Sequence, residues 1–363
     1  MKTHDKFPYP SRLAKLRTCL AEKKLEALLV SFLPNVHYLT GFSGSAGLVL
    51  ISRDASLLFT DSRYTLQAHE EVKGSRVVIA KGDSLAAAAK RVPKEASARI
   101  GFESQAVSYQ AHQKLRSLLP GKRLVAVSGL VELLRMEKEE DEIDRIRKAS
   151  EVASRALLET LPLLRPGIRE REVAAEIEYR MRLHGADRPS FETIVAFGDH
   201  AALPHAHPGE RRLRPKECIL IDLGAILGGY ASDMTRTVFL GEPSRQASQM
   251  YQAVLEALKE AEAVIRVGVA GGRVDAAARR VLKRHGYGRY FTHSTGHGVG
   301  REVHELPRLA PKQNQLLPER AVVTVEPGVY IPGYGGVRIE DMVVVRKDGI
   351  EVLTPTSKEL LVL

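Results

Sequence analysis

Four acidic side chains stand where acids are costly. Asp222 ends the apolar run CILID, Asp233 opens DMTRTVFL, Glu326 ends AVVTVE and Glu340 sits in VRIEDMVVV. Near-continuous apolar runs of this kind mark strands covered on both faces. A lone carboxylate taken from water into such a layer costs several kcal/mol or takes up a proton, so each needs a cation or donors beside it. One such acid is an ordinary structural ion pair. Four in comparable places need a shared counter-charge, and bound divalent cations are one that would serve.

A nitrogen donor comes from HSTGHGVGREVHE, which holds His293, His297 and His304. Glycines 296, 298 and 300 let the backbone approach a site closely. His297, between two glycines, is the expected ligand, which leaves His293 and His304 as supporting or catalytic groups. His205 in ALPHAHP precedes the acidic pair and can enter the site from that half. His207, followed by Pro208 and a charged loop, is the weaker of the two. Five ligands, four of them oxygen, suit Mn²⁺, Co²⁺ or Fe²⁺ better than a thiolate-bound zinc. Two ions sharing carboxylates about 3.5–4 Å apart are a recurring hydrolytic device.

The elements that must carry these residues form an internal repeat. Helices at about 141 to 161 and 171 to 184, with Val173, Ile177 and Met181 at helical spacing, precede strands near SFETIVAFG, ECILIDLG and SDMTRTVFL. Helices at about 246 to 266 and 273 to 285 then precede strands near VVTVEPGVY and GVRIEDMVVV. One copy slid onto the other places Arg165 on Arg266, Gly167 on Gly268, Val173 on Val274 and His184-Gly185 on His285-Gly286. Two related halves facing each other, each giving two acids to one centre, account for the pattern. Ahead of them, residues 1–134 read as a mixed α/β domain: a helix near Pro10–Lys24, strands in LEALLVSF, GLVLIS and SLLFT, and a Gly-rich turn TGFSGSAG. Residues 135–140 read as a linker into an acid-started helix, and 141–363 as the second domain.

Composition narrows the setting. With 44% hydrophobic and 27% charged residues the chain is globular. The start MKTHDKFPYPSR has no apolar stretch of a secretory signal, and no segment approaches the ~20 apolar residues of a membrane span, so a cytoplasmic location is expected. Two cysteines, Cys19 and Cys218, exclude a disulfide framework and a thiolate zinc cluster. The net charge of +10 comes from bases scattered among acids, with no nucleic-acid module.

The segments SFETIVAFG, ALPHAHP, IDLGA, SDMTRT, HSTGHGVG, VHE, VEPGVY and VRIED, in this order, resemble the metallopeptidases of the pita-bread fold, which include aminopeptidase P, prolidase and methionine aminopeptidase. The resemblance implies an α/β (α+β) chain with a creatinase-like N-terminal α/β domain and a pseudo-two-fold pita-bread catalytic domain. It places Asp222, Asp233, His297, Glu326 and Glu340 on five metal-ligand positions for two divalent ions, manganese first, with cobalt, zinc or iron as alternatives. His205 and His304 fall on substrate-contacting positions, and His293 and Arg338 on supporting ones. The implied nucleophile is a hydroxide bridging the ions, with Glu326 as general base and then acid. NVHYLTGFSGSAG and FTDSRY are similar to bacterial Xaa-Pro aminopeptidase. Hydrolysis of the N-terminal Xaa-Pro bond of peptides by a homodimer is therefore the implied activity. Prolidase, an Xaa-Pro dipeptidase, keeps the same ligands and is the alternative. A non-catalytic relative of the fold is a remote one.

Overall fold

The structure, a computed structural model, describes residues 9–95 and 98–363; the opening MKTHDKFP, on which the expectation of no secretory signal partly rests, lies outside them. No helix among the described residues is long and apolar enough to cross a membrane. Two units separate, Met1–Arg135 and Met136–Leu363.

The first unit runs α1 (Tyr9–Glu22), β1 (Ala27–Val30), α2 (Leu33–Thr40), β2 (Leu48–Ser52), β3 (Ser56–Thr60), α3 (Thr65–Glu71), β4 (Arg76–Ile79), α4 (Ser84–Ala89), β5 (Arg99–Glu103), α5 (Tyr109–Leu118), β6 (Arg123–Val127) and α6 (Leu130–Met136). Its sheet has the order β4-β3-β2-β1-β5-β6. The β1–β2–β3 pairs are antiparallel and the outer pairs parallel. Helix α2 is not evident from LPNVHYLT, because Pro34 reads as a turn signal. Proline is tolerated in a first helical turn, where its missing N–H has no partner to lose, and Gly41 at φ +81° closes the helix.

The second unit carries the repeat. Helices α7 (Glu140–Thr160) and α8 (Glu170–Leu183) lead into β7 (Arg188–Pro189), β8 (Ile194–Phe197), β9 (Cys218–Leu223), β10 (Ala225–Leu227), β11 (Tyr230–Ala231) and β12 (Met234–Phe239). Helices α9 (Arg245–Val264) and α10 (Gly271–Arg284) lead into β13 (Gly296–Gly298), β14 (Glu305–Leu309), β15 (Val322–Val325), β16 (Gly328–Ile331), β17 (Gly335–Arg338), β18 (Asp341–Arg346) and β19 (Gly349–Val352). Helix α7 starts where Glu139 and Glu142 cap each other's backbone in a capping box, with acids filling its first turn. Val173, Ile177 and Met181 of α8 pack with Val195, Phe197, Ile219, Ile221 and Val238, so the first helix pair shares a core with the β12-β9-β8 sheet. Val254, Leu258, Val274 and Val281 do the same with Val323, Val325, Val343 and Val345 in the β14-β13-β15-β18-β19 sheet.

The halves match in detail. Gly167 and Gly268 both take positive φ, +90° and +81°, the left-handed region that glycine enters without strain. Their N–H groups donate to Leu213 and Leu317 carbonyls, and those leucines donate back to Ile168 and Val269. His184 and His285 cap α8 and α10, and each bonds a glutamate of the preceding helix, Glu159 or Glu256.

The structure differs from the sequence reading at two strands. VVTVEPGVY and GVRIEDMVVV are each split, leaving Glu326 between β15 and β16, and Glu340 between β17 and β18. Pro327 has no N–H to continue a ladder. The N–H of Glu326 turns instead to Thr295 O at 2.8 Å, and that of Glu340 to Thr235 O at 3.1 Å.

Candidate metal centre

Strand pairing brings the acids of each half together. Thr235 of β12 stands opposite Asp222 of β9, so both side chains share one face with Asp233, two residues earlier. In the other half, β15 pairs with β18 so that Glu326 and Glu340 lie at adjacent ends. Asp233, His297 and Glu340 each offer a ligand atom within 4.8 Å of the others. His297 Nε2 is 3.6 Å from Asp233 Oδ2 and 3.4 Å from Glu326 Oε1. Its Nδ1 faces Gly298 O at 3.1 Å, which assigns the proton to Nδ1 and a lone pair to Nε2.

β13 can sit this close because it is GHG. A Cβ on Gly296 would lie 2.0 Å from Thr324 O, and one on Gly298 2.1 Å from Leu306 O. His297 N donates to Thr324 Oγ1, and Thr324 Oγ1 also reaches Glu326 Oε1.

The field in the site is strongly negative. Burial, and then Glu340, Asp222 and Glu326, hold the Asp233 carboxyl well above its ordinary range. Glu340 is raised by burial, Glu326 and Asp222. Glu326 is pushed up to about 8, chiefly by burial. His297 falls to about 4 through burial and the neighbouring His304, so its imidazole is neutral at pH 7. Asp222 Oδ1 is buried with no hydrogen-bond partner. Four crowded carboxylates, one neutral imidazole lone pair and an orphaned carboxylate oxygen are a donor set that fits divalent cations, which would supply the missing counter-charge.

Arg338 is buried and uses its whole fork: Nη2 to Asp222 Oδ2 at 2.5 Å, Nε to Thr235 Oγ1 at 3.0 Å, Nη1 to Tyr330 OH at 2.7 Å and to Pro204 O at 3.1 Å. It ends β17, so it does not share a strand with Glu340 as the sequence suggested. Its direct link to the acids is to Asp222, and Thr235 relays a second one to Glu340. Tyr330 OH, receiving from Arg338, donates to His293 Nε2 at 2.8 Å, and His293 Nδ1 lies 3.9 Å from Glu326 Oε2. Thr235, which also donates to Glu340 Oε2 at 2.7 Å, and Tyr330 were not picked out from the sequence. Period-2 alternation from Asp233 marks Thr235, and from Glu326 it marks Thr324. No comparable signal marks Tyr330.

His304 is exposed, its ring 4.2 Å from that of His297. His205 is exposed too, and it lies near enough to His293 and His304 to act on both electrostatically. His207 turns away, its side chain 80% exposed and paired with Glu192. His205→Ala is expected to lower kcat/KM by about a hundredfold, and His207→Ala by under about threefold. Equal losses would show that the wrong histidine of ALPHAHP has been assigned to the site.

The family Metallopeptidase family M24 matches residues 144–347, and Creatinase/Prolidase N-terminal domain matches residues 12–137. The chain is similar to a structure described as Xaa-Pro dipeptidase from Bacillus anthracis, with TM-score 0.95, 38% identity, and coverage of 98% of this chain and 100% of that one. It is also similar to the X-Pro aminopeptidase structure from Thermotoga maritima, with TM-score 0.88, 38% identity, and coverage of 94% and 99%. The Xaa-Pro dipeptidase of Pyrococcus furiosus is 36% identical over 351 residues, 96% of this chain and 99% of that one.

Proposed function

Since the chain belongs to metallopeptidase family M24, and is therefore a peptidase of pita-bread fold, we propose that it hydrolyses Xaa-Pro dipeptides. What supports this reading is similarity to dipeptidases over nearly the whole length of both chains. It replaces the aminopeptidase as the first choice. The segments TGFSGSAG and FTDSRY that favoured the aminopeptidase lie in the creatinase/prolidase-type domain, which is not peculiar to aminopeptidases. The aminopeptidase stays as the second reading because the Thermotoga maritima structure is as similar in sequence as the first.

In this proposal residues 141–363 form the catalytic domain, joined through 135–140 to the domain at 1–134, in a cytoplasmic homodimer. Asp222, Asp233, His297, Glu326 and Glu340 hold two divalent ions, manganese by preference. Ions held there supply Lewis acidity toward the scissile carbonyl and lower the pKa of water. Glu326 accepts a proton from water and returns it to the prolyl nitrogen, which as a tertiary amide has no hydrogen of its own and leaves only once protonated. His205 and His304 orient the peptide from the rim, and donation to its carbonyl oxygen stabilises the charge developing there. Arg338 holds Asp222 and, through Tyr330, the ring of His293.

Measuring kcat/KM for Ala-Pro, Ala-Pro-Ala and Ala-Ala-Ala with Mn²⁺ tests the assignment. Ala-Pro is expected to be preferred over Ala-Pro-Ala by at least about a hundredfold, the scale on which a site built around a substrate's charged groups discriminates. A preference for the tripeptide would restore the aminopeptidase reading, and efficient cleavage of Ala-Ala-Ala would remove the proline requirement.

A further inference from the structure

Glu340 is a candidate ligand whose backbone no strand pairing holds. It falls in the gap between β17 and β18, outside either ladder. Its N–H donates to Thr235 O at 3.1 Å, and its carbonyl accepts from Arg236 Nη1. Both main-chain groups of this ligand therefore hang on two neighbouring residues of β12.

Arg236 does not face the acids. Asp233, Thr235 and Thr237 alternate onto one face of the strand and Arg236 onto the other, so its guanidinium meets the Glu340 carbonyl from behind. It is 3% exposed and fully engaged. Nη1 also donates to Thr235 O at 2.9 Å, Nη2 to Asp341 Oδ1 and Thr356 O at 2.6 Å each, and Nε to Ser357 O at 2.9 Å. The other oxygen of Asp341 accepts from Lys358 Nζ at 2.6 Å, and Lys358 also bonds both Glu262 oxygens at 2.9 Å. Beyond it, the chain runs along β12: Phe239 N donates to Leu361 O, and Leu363 N to Phe239 O. Only a planar fork of fixed geometry can join a strand carbonyl, a ligand carbonyl, a carboxylate and two further carbonyls at once.

We propose that Arg236 is a positioning residue for the metal centre and that Thr356–Lys358 is its brace, an inference that rests on the ligand set proposed above. Cation affinity at Glu340 then depends on a stretch of chain that contributes no ligand. With the fork replaced by a single ammonium, the Glu340 carbonyl and the 356–357 carbonyls cannot all be held. The ligand carboxylate then drifts from the position the ion needs.

Calorimetric titration of the wild-type protein with Co²⁺ comes first and tests the ligand set by itself, so its failure is separable from failure of Arg236. Arg236→Lys, Lys358→Met and a chain ended after Thr354 follow. For Arg236→Lys and the shortened chain, one of two equivalents is expected to bind at least about tenfold more weakly, with unchanged circular dichroism and an altered visible Co²⁺ spectrum per bound ion. Lys358→Met, which leaves the fork intact and removes a partly exposed side chain, is expected to weaken it about threefold. A synthetic peptide of residues 355–363 is expected to restore the shortened chain's affinity. Wild-type affinities and spectra in all three folded variants would overturn the proposal, as would equal weakening of both ions with an unchanged spectrum.

Discussion

Asp233→Asn and Glu340→Gln are each expected to yield folded protein whose turnover at saturating Mn²⁺ falls by at least about a thousandfold, the scale of losing metal-assisted attack. The replacements keep shape and hydrogen-bonding capacity. In Glu340→Gln the new amide oxygen can still accept from Thr235 Oγ1, which lies 2.7 Å from Glu340 Oε2. What is lost is charge. The cations then face three carboxylates instead of four, and metal content should drop below two equivalents. The same change should do the opposite to the metal-free fold. Both acids are raised by burial and by neighbouring carboxylates, Asp222 and Glu326 in each case, so removing either charge relieves repulsion, and the metal-free variants should melt no lower than metal-free wild type. Inactive, metal-poor and no less stable is a combination that a merely structural role does not produce. Near-normal turnover in either variant would strike that residue from the ligand set.

The acids could be read from the sequence because each breaks an apolar run, and the cost of burying a charge is a local matter that one strand states by itself. The two-fold repeat was legible for a similar reason: helix periodicity and the Gly167/Gly268 and His-Gly signals are short-range. Tyr330 was not, because a tyrosine in an apolar strand is ordinary and its role appears only when the β16–β17 hairpin sets it beside Gly336 and within reach of Arg338 and His293. Arg236 was hidden likewise. Apart from the neighbouring Thr235 carbonyl, its partners lie more than a hundred positions away, at Glu340, Asp341, Thr356 and Ser357. The breaks at Glu326 and Glu340 were blurred by the β-branched runs leading into them and the valines that resume soon after, at Val329 and Val343, so period and propensity read straight through them. Substrate length was the least legible feature. The N-terminal segments used to choose it lie in a domain type shared with prolidases, and the ligand set that the resemblance implies is one it implies for both activities.

Stripping the metals is expected to make stability depend on pH in a direction that identifies the carboxylates. In the metal-free fold Glu326 keeps its proton up to about pH 8, whereas in the unfolded chain it releases it near the ordinary value of 4.5. A folded-state pKa raised in this way contributes stability in full below about 4.5, and loses it as pH rises toward 8. His293 and His297 act in the opposite sense. Both are lowered to about 4, chiefly by burial, so their contribution is complete above the unfolded value of 6.5 and is lost as pH falls toward 4. The two trends oppose one another between pH 4.5 and 6.5, and a shallow dependence is expected there. Between pH 6.5 and 8, of these groups only the acids still titrate, and there the native state binds more protons than the unfolded one. Glu326 alone then costs about 2 kcal/mol over that interval, which for a unit of this size is a fall of roughly 4–8 °C in Tm. Asp233 and Glu340, both raised, add to it. Protein reloaded with Mn²⁺ should lose this slope, because the ions hold the carboxylates ionised throughout, and loading at about pH 7 should release protons to the buffer. Thermal melts of chelator-treated and reloaded protein at half-unit pH steps measure the difference. A metal-free Tm that holds level or rises from pH 6.5 to 8 would mean that these acids are not crowded into one uncompensated centre.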